Sequence, residues 1–142
     1  MTILCPLDFS AASAGLVAYA AALAVATGAE LRLLHVCEPQ LGPTGQPLSS
    51  GPAALPEPCA EQLQRLRAAA EQAGAAPVHT GIVPGEAALE IVAEARRQQA
   101  DLIVIGAHGC TGLTRFLMGT TAETVLRTAR CATLLVRAPL TS

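Results

Sequence analysis

Short apolar runs alternating with alanine-rich amphipathic stretches predict an α/β domain, a doubly wound, five-stranded parallel sheet with helices on both faces. Three observations carry the prediction. Five apolar segments have the length of a strand, and four intervening segments repeat apolar residues at helical spacing. A glycine-rich stretch then follows the fourth apolar run directly, where such sheets hold their ligands.

Thr2 to Leu7 reads as a buried strand ending at Asp8, and Asp8 and Ser10 are both candidate N-caps for the next segment. That segment, from Ala11, carries Leu16, Ala20, Leu23 and Thr27 at helical spacing and closes at Gly28. Leu31 to Val36 is the second expected strand, completing a βαβ unit. Six prolines and three glycines between Cys37 and Pro58 then exclude regular structure, so residues 38–58 read as an insertion loop or a lid. Glu61 to Ala73 is the second expected helix, with Leu63, Leu66, Ala70 and Ala73 on one face and Gly74 at its end.

Pro77 to Val83 is the third strand. A third helix follows Gly85, with Ala88, Ile91, Val92 and Ala95 inward, Glu86, Glu90 and Glu94 on a solvated face, and Arg96 and Arg97 in the last turn. Leu102 to Ile105 is the fourth strand. A fourth helix begins near Thr121, turning Ala122, Val125, Leu126 and Ala129 inward, and Thr133 to Val136 is the fifth strand. Residues 1–142 therefore read as one domain.

Composition narrows the function. A chain that is 51% apolar and 14% charged can bury a core and is not disordered. Phe9, Tyr19 and Phe116 are the only aromatics, too few for base stacking, and a formal charge of −2 gives no attraction to a polyanion. Nucleic acid is not an expected partner. The opening residues lack a basic leader, and no apolar run long enough to span a bilayer occurs, so a cytoplasmic location is expected. The five cysteines include no C-x-x-C pair and read as free thiols filling the core, without metal-ligand spacing.

The chemistry concentrates between Asp101 and Thr121. Leu102-Ile103-Val104-Ile105 stops at Gly106, Gly109 follows, and nine residues later Gly119-Thr120 precedes a helix. A strand, a glycine-rich loop and a helix N-terminus together cradle phosphate with backbone N–H groups. No G-x-x-x-x-G-K-[ST] sequence occurs, and no G-x-G-x-x-G follows the first strand. All nine basic residues are arginine, which removes P-loop phosphoryl transfer and any lysine-based charge stabilisation.

The segment Ile3-Leu4-Cys5-Pro6-Leu7-Asp8-Phe9-Ser10, the Gly106-x-x-Gly109-(nine residues)-Gly119-Thr120 pattern and the closing Cys131 to Arg137 together resemble the universal stress protein family, in its ATP-binding type. The resemblance covers the chain apart from the proline-rich loop. It implies a Rossmann-like sheet of the adenine nucleotide alpha hydrolase kind, in strand order 3-2-1-4-5, and a homodimer formed through the last strand. It also implies bound ATP with Mg2+ and a regulatory, stress-response role without efficient catalysis. The alternatives are a nucleotide-free dimeric scaffold and a slow ATPase.

By motif position, the resemblance places Pro6, Leu7 and Asp8 at the adenine and ribose end, with Asp8 reaching the metal through water and Val36 meeting the adenine. It places Ile105, Gly106 and Gly109 where the backbone approaches ribose and phosphates, and Gly119, Thr120 and Thr121 on the phosphates. His108 is a candidate ligand contact or a turn residue. Arg115 offers a guanidinium fork to the γ-phosphate, or is a solvated loop charge. Thr120 to Glu123 also reads as a capping box, which competes with phosphate for the Thr120 hydroxyl. No catalytic residue is assigned.

Overall fold

The computed structural model describes residues 1–9, 12–37, 57–106 and 121–136. Their elements are β1 (Thr2–Leu7), α1 (Ser13–Thr27), β2 (Glu30–Cys37), α2 (Glu57–Gln72), β3 (Val78–Pro84), α3 (Ala87–Arg97), β4 (Leu102–Gly106), α4 (residues 121–128) and β5 (Ala132–Val136). All strand pairs are parallel, in the order β3-β2-β1-β4-β5, as the resemblance implied.

Strands β1 and β4 are almost wholly apolar because both of their faces are covered, while β2 also carries Glu30, Arg32 and His35. Alternation sends Ile3, Cys5, Leu7, Leu31, Leu33 and Val104 to one face, where they pack with Leu16, Val17, Ala20 and Ala21 of α1 and Leu63 and Ala70 of α2. Leu4, Leu34, Ile103 and Ile105 go to the other, against Ala88, Ile91 and Ala95 of α3 and Ala122 and Val125 of α4. Ala20 and Ala21 are wholly buried, so α1 lies close on the sheet without large side chains. Gly28, at φ 71°, ends α1 in the left-handed conformation that glycine adopts without Cβ strain, and its N–H donates to Ala24 O.

Several expectations change. The helix after β1 starts at Ser13 with Ala12 in the N-cap position, so Asp8 is not its N-cap residue; Ser10 lies outside the described residues. Helix α2 begins at Glu57, because a proline in the first helical turn (Pro58 here) removes an N–H that has no intrahelical partner anyway. Thr27 and Ala73 are exposed, and Leu126 is 45% exposed on the outer side of α4. The Glu94 side chain is only 13% exposed and accepts from Arg97 Nη2 at 2.8 Å and from Gln98 Nε2 at 3.3 Å, so it is held rather than freely solvated.

At the amino ends of the strands, Asp101 fastens β4 to β1. Its Oδ2 accepts from Thr2 N at 2.8 Å, and its own N–H donates to Thr2 O at 2.8 Å.

Candidate functional site

The strand order reverses between β1 and β4. Strand β2 leads outward on one side of β1 and β5 on the other side of β4, so the carboxyl ends of β1 and β4 form the switch point at which sheets of this kind generally hold a ligand crevice. The registers Ile3↔Leu102 and Leu4↔Ile103 run the two strands level, and three residues further on are their last members, Leu7 and Gly106. Pairing of β1 with β2 instead continues to Leu7↔His35. Pro6 has no N–H to give, and the β1–β4 ladder has already ended before it.

Pro6, Leu7, Asp8, Ile105 and Gly106 thus gather at the carboxyl edge of the sheet, where the strand order that the resemblance implied brings them. Val36 lies one strand away, near the end of β2. Leu7 is 4% exposed and Ile105 is fully buried, each inside a core cluster, so only their backbones face the crevice level. Val36 is half-buried against the α3-side cluster. Asp8 is half-buried, and its Oδ1 accepts from Ser13 Oγ at a long 3.4 Å. Thr121 is the first described residue of α4 and is half-buried. His108, Gly109, Arg115, Gly119 and Thr120 lie outside the described residues, as does Cys110. Glu123 accepts from Arg127 Nη2 at 2.7 Å, one turn along α4; Thr120, its capping-box partner, is among the residues not described.

Beside Asp8, Phe9 takes a positive φ of 58°, a strained conformation for a bulky residue. Its ring stacks on His35 with centroids 4.2 Å apart. His35 Nδ1 lies 2.8 Å from Leu7 O, and since a carbonyl only accepts, Nδ1 carries the hydrogen. The ends of β1 and β2 are therefore tied together through one imidazole. Next to it stand Cys37 and Cys59, with one ligand atom from each of the three residues within 4.8 Å of the others. The cysteine reading passed over this group. Its signal was His35-x-Cys37 on a strand, where alternate residues share a face.

The model of the universal stress protein family matches residues 1–137. The chain belongs to the universal stress protein family. Among curated relatives, a universal stress protein of Methanocaldococcus jannaschii is 42% identical over 85 residues, 60% of this chain and 49% of the relative. The chain spans about half the length of the curated relatives it matches. Of solved structures, a universal stress protein in complex with cAMP superposes with a TM-score of 0.75 at 24% identity, covering 97% of each chain. One from Archaeoglobus fulgidus in complex with dAMP gives 0.71 at 20% identity, over 95% of this chain and 96% of that one. At such identities the likeness shows the fold. No helix among the described residues is long and apolar enough to cross a membrane.

Proposed function

We propose that this universal stress protein is an adenine-nucleotide-binding regulatory protein that holds Mg-ATP in the crevice between β1 and β4. The observation that carries the reading is the level ending of these two adjacent strands, which brings Asp8 and Gly106, the first glycine of the motif, to one switch point. Solved structures of the same fold carry cAMP and dAMP, both adenine nucleotides.

The residues present fit the ligand. Val36, half-buried on the α3 side of the sheet, offers an apolar contact to an adenine, and Pro6 and Ile105 contribute through their backbones. Gly106 has no Cβ to obstruct backbone approach, and in this proposal the N-terminal end of α4, with Thr121, offers N–H groups to phosphate. Gly109, Gly119 and Thr120 complete the phosphate cradle in this proposal, with His108 and Arg115 at its rim. Asp8 holds Mg2+ through water. The chain has no lysine to stabilise phosphoryl-transfer charge, so the site binds nucleotide and turns it over slowly at most. Two copies pair through β5, the edge strand on which Leu135 is 41% exposed, and the protein works in the cytoplasm.

One tyrosine and no tryptophan leave the polypeptide nearly transparent in the near ultraviolet. Protein purified without added nucleotide is expected to carry a 260 nm band that perchloric acid releases as adenine nucleotide. If neither that band nor nucleotide uptake by the stripped protein is found, the proposal fails.

A further inference from the structure

The His35, Cys37 and Cys59 group has no place in the nucleotide reading. His35 and Cys37 are two apart on β2 and so share the face that carries Leu31 and Leu33, the face α2 covers. Cys59 stands in the first turn of α2 and reaches the same spot. All three residues are half-buried.

The geometry points to a zinc site made of His35 Nε2, Cys37 Sγ and Cys59 Sγ, which clamps the end of β2 to the start of α2. One imidazole and two thiolates are a donor set for a borderline-soft d10 cation rather than Mg2+ or Ca2+. Tetrahedral zinc with these donors needs edges of about 3.5–3.8 Å, from bonds of about 2.0–2.1 Å to nitrogen and about 2.3 Å to sulfur. One ring nitrogen of His35 and the sulfurs of Cys37 and Cys59 already lie within 4.8 Å of one another, so small side-chain adjustments bring the three residues onto one cation.

The imidazole is also prepared for the task. Its Nδ1–H donates to Leu7 O at 2.8 Å, which leaves the lone pair on Nε2, and Phe9 stacks on the ring at 4.2 Å and fixes its plane. A metal-bound histidine ordinarily has its second nitrogen held by a carbonyl or carboxylate in this way. Binding releases both thiol protons to solvent as two S–Zn bonds form, and the fourth position stays open to water or an added ligand. Cys37 and Cys59 flank the connection formed by residues 38–56, so the cation closes that connection as a covalent staple would. Through Leu7 O it also braces the strand end that carries Asp8.

The test uses the full chain, stripped of metal and nucleotide and kept reduced with a phosphine. Zn2+ is titrated against a chromophoric chelator, and Co2+ is used as a spectroscopic substitute. One equivalent of zinc is expected, with cobalt giving thiolate-to-metal charge transfer and the intense visible bands of a tetrahedral site. Cys37→Ser, Cys59→Ser and His35→Gln are each expected to weaken zinc by more than about 100-fold, beyond the usual cost of an outer partner. Cys131→Ser is expected to leave affinity unchanged. The melting temperature of each metal-free variant shows that it folds. The site is refuted by absent binding at micromolar zinc, by cobalt bands without thiolate charge transfer, or by full affinity in Cys59→Ser. None of these readings depends on nucleotide.

Discussion

Asp101→Ala separates the two ends of the sheet. Asp101 Oδ2 accepts from the Thr2 N–H at 2.8 Å, joining β4 to β1 at their amino ends. A hydrogen bond to a charged group contributes about 1.5–3 kcal/mol, and this one is exposed, so the lower figure applies. Unfolding entropy of about 2.1 cal/mol/K per residue gives about 0.3 kcal/mol/K for 142 residues. The variant should therefore melt about 5 °C lower. Asp101→Asn keeps an acceptor but loses the charge, and should fall about half as far. The crevice lies at the other end of β4, a five-residue strand and so about 16 Å away. At physiological salt the charge is screened over about 8 Å. Nucleotide affinity in Asp101→Ala should then change by less than about twofold. Differential scanning fluorimetry and calorimetry on the same samples read both quantities. An unchanged melting temperature refutes the clamp, and an affinity loss of tenfold in a folded variant refutes the placement of the site at the carboxyl ends.

Three further outcomes follow from the same structure. Gly109→Val and Gly119→Val should each abolish nucleotide binding while leaving circular dichroism intact, because a branched side chain obstructs backbone approach to phosphate; retained affinity in both would remove the glycine segment from the site. Burial raises the Cys5 thiol to about 12, so the folded state keeps a proton that the unfolded chain loses above about pH 9. Stability should fall between about pH 9 and about pH 12 by up to about 1.4 kcal/mol per pH unit from this group, a slope that denaturant titration should find missing in Cys5→Ala. Leu135→Glu puts a charge on the exposed face of the edge strand β5, and sedimentation should show dimer in the parent and monomer in the variant, whereas a monomeric parent contradicts pairing through β5.

The strands were legible because parallel strands buried on both faces leave unbroken apolar runs, such as Ile3 to Leu7 and Leu102 to Ile105, bounded by Asp8 and Gly106. Helix faces were less so. Alanine is nearly indifferent to burial, so the stripe in α1 gave no reason to separate buried Ala24 from exposed Thr27, and Leu126 turned outward although it is apolar. Pro58 hid the start of α2 because proline breaks a helix interior but suits a first turn. Glu94 gave no sign in sequence that Arg97 and Gln98 would hold it, since that depends on rotamers. The crevice was legible once strand order was supplied, because Asp8 and Gly106 are far apart in sequence and meet only through β1–β4 pairing. The zinc ligands were missed for a related reason. His35 and Cys37 show their common face in the strand period, but only the packing of α2 brings Cys59 to them.

The most direct test is calorimetric titration of Mg-ATP into protein stripped of nucleotide, with the melting temperature followed in parallel. Saturable heat at one nucleotide per chain, a raised melting temperature, and loss of both in Gly119→Val are the predicted results. No heat and no shift at millimolar Mg-ATP would show that the crevice between β1 and β4 is not a nucleotide site.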